Sequence, residues 1–168
     1  MPLWFVTVKN VDLPTRKRTL RLLSNGIYVI TSSTPSRYGA ATATWISQAS
    51  FKPPLVMAAI RQDSNVFACL TESRVAAVHI LDCGQQAMAQ RFFSPTNVVG
   101  DTINGEPFVP GRTSAPVLQN ALAYFEAVVH HMFTLGDHAV VVMEVIEAEC
   151  RGDVRPLTVA ASPWEYGG

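Results

Sequence analysis

The chain has 168 residues, with 13 Lys+Arg and 13 Asp+Glu for a formal net charge of +0, and 48% of its residues are hydrophobic against 15% charged. That balance excludes a disordered chain and offers no field for steering towards nucleic acid or an anionic membrane. Abundant apolar residues with so little charge instead point to surface covered by a second copy, in a single domain (1–168, with an N-terminal extension over about 1–19) able to bury its own core.

In chain order, Leu3–Asn10 predicts a short edge strand bracketed by Pro2 and Pro14. The opening segment carries its charges after its apolar residues, the reverse of a secretory signal, and no apolar run approaches the ~20 residues needed to span a bilayer, so a cytoplasmic location is expected. Thr15–Ser24 predicts a short helix with Leu20, Leu22 and Leu23 behind a basic face, broken by Asn25-Gly26 before a buried strand at Ile27–Thr31. Ala41–Ile46 and Leu55–Ile60 are β-prone runs, and Pro53-Pro54 marks the corner between them. Asp63 or Ser64 caps a helix from about Asn65 to Ser73, with Val66, Phe67 and Leu70 inward. Val75–Leu81 is the next buried strand. Gln85–Phe93 predicts a second short helix with Ala87, Met88 and Phe92 on one stripe, and Ser94–Ala115 reads as a long loop of the kind that covers something. Ala121–Val129 and Ala139–Ala148 are the longest strands, joined by a turn at Thr134–Asp137, and Leu157–Ala161 is expected as a last strand. Many strands, short helices and no βαβ alternation give a mostly β, antiparallel barrel.

The chemistry concentrates between Tyr38 and Arg61. Hydroxyls at Thr42, Thr44, Ser47 and Ser50 lie along a run that otherwise reads as core, and Gly39, Ala40, Ala41 and Ala43 would let a flat ligand approach the backbone. Arg61 then stands beside the start of a helix at Ser64. Hydroxyls, a guanidinium and free backbone donors suit a phosphorylated planar cofactor. The same hydroxyls could serve merely as strand residues, and Trp45 as a plain core aromatic. His130-His131 would point to opposite strand faces, which argues against a shared metal ion; no metal site is expected. Gly100–Gly105 lacks the Lys-Ser/Thr ending of a P-loop, and no G-x-G-x-x-G occurs, so no Rossmann domain is present. Cys69, Cys83 and Cys150 lack C-x-x-C spacing and read as small buried hydrophobes in a reducing compartment.

Thr42-Ala43-Thr44-Trp45, Ser47 to Ser50, Phe51-Lys52-Pro53-Pro54-Leu55 and, further on, Gly136-Asp137-His138 together resemble the signature of the flavin reductase-like, FMN-binding split-barrel family, over roughly Leu20 to Val159. The likeness is greatest to the flavin reductase modules of flavodiiron proteins. It implies a Greek-key-like split barrel that dimerises around two flavin sites. It further implies FMN, or FAD in its stead, as cofactor and NAD(P)H as co-substrate, with hydride delivered to the flavin and electrons passed on to a flavin, a redox partner protein or oxygen. Thr44 and Ser47, with Arg61 and Ser64, are assigned to the phosphate and ribityl chain, and Ser50 is a further cofactor-binding candidate. Backbone groups of Ala43 to Trp45 face the ring edge and, on this resemblance, Phe92 borders the flavin or packs in the core, and His138 is the catalytic residue that positions the nicotinamide. Ala40, where many relatives have Gly, and the uncharged Thr158–Ala161 and Asp101–Ile103 segments depart from the pattern. The alternative function is a flavin-holding electron carrier with no NAD(P)H activity of its own.

Overall fold

The structure, a computed structural model, describes residues 12–167. The edge strand expected at Leu3–Asn10 lies outside the described residues. The elements in order are α1 (Leu13–Leu20), β1 (Tyr28–Thr34), β2 (Arg37–Ala43), β3 (Ile46–Ser50), β4 (Leu55–Arg61), α2 (Asn65–Ser73), β5 (Val75–Ile80) and α3 (Gln86–Arg91), then β6 (Val98–Val99), β7 (Thr102–Ile103), β8 (Glu106–Pro110), β9 (Pro116–Leu118), β10 (Ala123–Phe133) and β11 (His138–Cys150).

Seven strands form one antiparallel sheet in the order β2-β1-β5-β10-β11-β4-β3. Consecutive strands β2 and β3 sit at opposite edges of that sheet, joined only by Thr44-Trp45. A two-residue link can bridge the edges only if the sheet is rolled up, so the chain closes a barrel at this point. The sequence pattern gave a single run over Ala41–Ile46, but the run is cut here, and its halves pair with different neighbours. The Pro53-Pro54 corner separates β3 from β4 as expected.

Inside the barrel, Ile30, Val56, Val78, Val129, Val141 and Met143 pack around Val66 and Leu70 of α2. A second core on the outer side of β1 and β2 joins Val29 and Ala40 to Met88, Phe92, Ile103, Leu118 and Leu157. β1 is therefore enclosed on both faces, with successive residues Val29 to Ser32 all buried. Gly39 lets β2 lie against α2: a methyl group there would come within 2.5 Å of the Val66 Cα and 2.6 Å of the Asn65 carbonyl. The space expected to receive a ligand at Gly39 is thus filled by backbone.

Several expectations need correction. Ser94–Ala115 is no structureless loop, because β6 to β9 make a second, four-stranded sheet from most of it. Its tight turns use Gly100, with φ 56°, and Asn104-Gly105, with φ 49° and 79°, a pair of left-handed residues suited to a hairpin. Leu157–Ala161 forms no strand; its one bridge is Gly26 to Thr158. In α3, Ala89 rather than Ala87 shares the buried stripe with Met88. The helix expected at Thr15–Ser24 is α1, started by Asp12 accepting the Thr15 N–H, but it buries no residue and Leu22 stays 82% exposed.

Two buried polar residues fasten the second sheet. His79 donates from Nδ1 to the Val29 carbonyl at 3.0 Å and accepts the Leu118 N–H at Nε2 at 2.9 Å, so both ring nitrogens are satisfied in one neutral tautomer. Burial lowers its pKa to about 4. Glu126 accepts the N–H groups of Arg112 and Thr113 and the Thr113 hydroxyl, pinning the turn that leads into β9.

Candidate functional site

A cavity of about 880 Å³ opens where the barrel is closed by Thr44. β2 supplies Ala40 to Thr42 on one wall, and α2 presents Ser64 and Asn65 on another. Phe92 and the segment after α3 form a third wall, and residues 162–166 line the remaining side. A smaller recess of about 80 Å³ shares Thr44, Arg61 and Ser64 with it and adds Ala43, Trp45 and His138.

Thr44 is the most informative residue. Its side chain is buried, and its Oγ1 has no hydrogen-bond partner. Leaving a buried hydroxyl unpaired costs on the order of 1–3 kcal/mol, and this one lines both hollows. Thr42, by contrast, is used up: its hydroxyl donates to the Ala89 carbonyl at 2.6 Å and its N–H to the Phe92 carbonyl, which fixes α3 against β2.

Arg61 and His138 are register partners on β4 and β11, so their side chains leave the same face of the sheet. Arg61 forks onto Asp63 at 2.9 and 2.5 Å. That hydrogen bond holds the Asp63 carboxyl below its ordinary pKa and raises that of the guanidinium. Asp63 therefore lies between the cation and a free anion, and a phosphate would have to compete with it. Ser64 also has a duty already: its Oγ caps α2 by accepting the Phe67 N–H at 3.2 Å while donating to the Arg61 carbonyl at 2.7 Å. The cap sets the positive end of α2 at the cavity wall.

His138 is mostly enclosed. Its Nδ1 lies 2.9 Å from the Asp137 Oδ1 and its ring stands 4.8 Å from the Trp45 ring, which in turn lies 5.7 Å from that of Tyr166. The hydrogen bond from His138 keeps the Asp137 carboxyl below its usual range. Asp137 orients the imidazole and Trp45 limits its swing. Trp45 is 36% exposed, a rim residue and not a core aromatic.

Seven of the nine residues singled out in sequence thus come together: Thr44, Arg61, Ser64 and Phe92 at the cavity, with Ala43, Trp45 and His138 at the recess. Ser47 and Ser50 do not join them. Ser47 pairs with Met57 on β4 and its hydroxyl bonds only to the neighbouring Gln48 carbonyl, and Ser50 pairs with Leu55 at the far end of β3. The reason is the break after Thr44, which sends β3 to the other sheet edge. Sequence reasoning missed Asp63, Phe93, Thr96 and the whole segment 162–166 with Trp164 and Tyr166. The aromatic pattern Pro163-Trp164-Glu165-Tyr166 was the available signal. His130 sits at a β-bulge and bonds Glu144, apart from His131, and among the described residues no group of three or more His, Cys, Asp or Glu could hold a metal ion. Among them also, no helix is long and apolar enough to cross a membrane.

Comparison with known proteins agrees with this architecture. The chain is 30% identical over 139 residues to diflavin flavoprotein A 1 of Synechocystis sp., covering 82% of this chain but 24% of that protein, so it spans about a quarter of that relative's length. It is 31% identical over 125 residues to the NADH-dependent FAD reductase of Streptomyces globisporus, covering 73% of this chain and 68% of that one. The solved structure of the Streptomyces globisporus C-1027 NADH:FAD oxidoreductase superposes with a TM-score of 0.78 at 24% identity, over 95% of this chain and 97% of that one, a likeness of fold. Residues 20–163 match the family model described as flavin reductase like domain, and the chain belongs to that family.

Proposed function

We propose that the protein is an NAD(P)H:flavin oxidoreductase that binds FMN, or FAD, in the cavity between β2, α2 and α3. The observation that carries this reading is the orphaned Thr44 hydroxyl on the wall of a hollow large enough for a flat ring system. A buried polar atom without a partner fits a ligand that brings one. When bound, the flavin supplies the hydride-accepting chemistry that the side chains lack.

The chain's own residues then have separable tasks. Thr44 Oγ1 bonds the ring edge or the ribityl chain, together with backbone groups of Ala43 and Trp45. The capped end of α2, with Asn65, faces the phosphate, and Arg61 contributes once its fork onto Asp63 loosens. Phe92, buried in the third wall, gives the ring an apolar bed. His138, aimed by Asp137, places the nicotinamide and steadies the charge that moves in the transfer. Ser47 and Ser50 have no place in this arrangement within one copy of the chain.

A homodimer is part of the proposal. Phe133, Val140 and Met57 leave an apolar stripe on the outward face of β10, β11 and β4, each 40% exposed or more, and a second copy would cover it. The onward acceptor, whether flavin, protein or oxygen, is set by what reaches the cavity mouth. The test is direct: the purified protein is titrated with FMN and FAD by flavin fluorescence, and oxidation of NADH and NADPH is followed by absorbance. Saturable flavin binding with flavin-dependent nicotinamide oxidation is expected. Tight flavin binding without oxidation would assign the electron-carrier role instead, and absence of both would overturn the reading.

A further inference from the structure

Residues 162–166 line one side of the cavity, and with Gly167 they are held in an unusual way. Up to Val159 the chain is tied to the body by backbone hydrogen bonds, Leu157 N–H to Leu81 and Val159 N–H to Asn25, and a turn closed by Ser162 N–H to Val159 follows. Beyond that point, among the described residues, only side chains attach it to the body. Trp164 meets the Phe93 ring edge-on with centroids 4.9 Å apart, and Tyr166 leans on Trp45 at 5.7 Å. Arg21, the residue that ends α1, donates from its guanidinium to Glu165 Oε2 at 2.8 Å and to the Gly167 carbonyl at 3.0 Å.

Three features make this segment movable as a unit. It has no ladder bonds to break. The Glu165 side chain is 81% exposed, so releasing it from Arg21 returns it to water at little cost. Apart from the packing of Trp164 against the edge of the second core, its ring contacts fall on Phe93 and Trp45, residues that themselves line the cavity or its recess. A ligand that fills the hollow therefore touches both the segment and the surfaces on which it rests.

We propose that residues 162–167 form a strap that closes over the bound flavin and slows its release, with the Arg21–Glu165 pair as the latch. This rests on the reading of the cavity as the flavin site. The latch also gives α1 its fixed position, since that helix buries no residue of its own. Trp164 and Tyr166 are positioning residues: Tyr166 backs Trp45, which in turn flanks His138.

The experiment compares the full chain with Arg21→Glu, Glu165→Arg and the double reversal. Two quantities are measured: the rate of FMN release by stopped-flow fluorescence, and hydrogen exchange of the 162–167 amides in flavin-free protein. Each single reversal is expected to speed FMN release about fivefold, the upper range for one exposed ion pair, and to raise exchange in the strap. The double reversal, which restores opposite charges, returns both towards the starting values. Unchanged release with unchanged exchange would overturn the strap. Unchanged release with raised exchange would overturn its role in retention. A protein that binds neither FMN nor FAD yet shows latch-dependent exchange would overturn the flavin reading and leave a latched segment beside a cavity for another ligand.

Discussion

Thr44 carries a signature with two opposite signs. Its hydroxyl is buried and unpartnered in the free protein, so Thr44→Val should raise free-protein stability by about 1 kcal/mol in chemical denaturation. If the hydroxyl meets the flavin, the same change should weaken flavin binding about five- to tenfold, one hydrogen bond's worth. A purely structural threonine would not separate the two readouts. His138→Ala should raise the KM for the nicotinamide about tenfold and leave the flavin Kd within about twofold, because the imidazole reaches the recess and not the larger cavity; steady-state kinetics beside a flavin titration checks this. That Thr44, Arg61 and His138 meet at the two adjoining hollows was foreshadowed by short patterns: a hydroxyl among small residues, a cation before a helix cap, a histidine after a Gly-Asp turn. Ser47 and Ser50 were grouped with Thr44 as hydroxyls close together in sequence, but the break after Thr44 sends β3, which carries both, to the other sheet edge. A two-residue link within a β-prone run leaves no mark in composition.

At the level of elements, the capped α2 is held by its contact with β2, and that contact depends on Gly39. Gly39→Ala would press a methyl group onto the backbone of Asn65 and Val66; neither side can yield without moving the helix. Calorimetry should show a loss of about 1–3 kcal/mol, and flavin affinity should fall with it, since the displaced end of α2 lines the cavity. Strands that contain a short apolar run, Ile27–Ile30 leading into β1, Val75–Val78 in β5 and Ala139–Met143 in β11, were readable from sequence alone. The second sheet was not. Its strands are two to five residues long, interrupted by Gly, Pro and Asn, and they exist because His79 and Glu126 supply distant bonds that no local window contains. The expected strand at Leu157–Ala161 failed for the converse reason: its β-prone residues find a single bridge, at Thr158, and the chain turns away at Ser162.

For the whole molecule, stability should depend on pH through His79. Folding lowers its pKa to about 4 from 6.5, so between those values the unfolded chain binds more protons. Stability is then complete above pH 6.5 and falls as pH drops towards 4, by roughly 2 kcal/mol between pH 7 and 5. The carboxyls held below their usual values, Asp63, Asp82 and Asp137, lose their contribution only at still lower pH. Urea unfolding at pH 7 and 5 should show this slope, and His79→Gln should flatten it while lowering stability at pH 7. The seam at Thr44-Trp45 has a consequence for the molecule as a whole. One dipeptide both fastens the hoop and touches whatever occupies the hollow beside it, so grip on a guest and tension in the wall are the same adjustment. Lengthening that fastening by a few glycines would slacken the ring while sparing every core side chain, and how far occupancy then protects the protein from heat would measure how much of its toughness is borrowed from its guest.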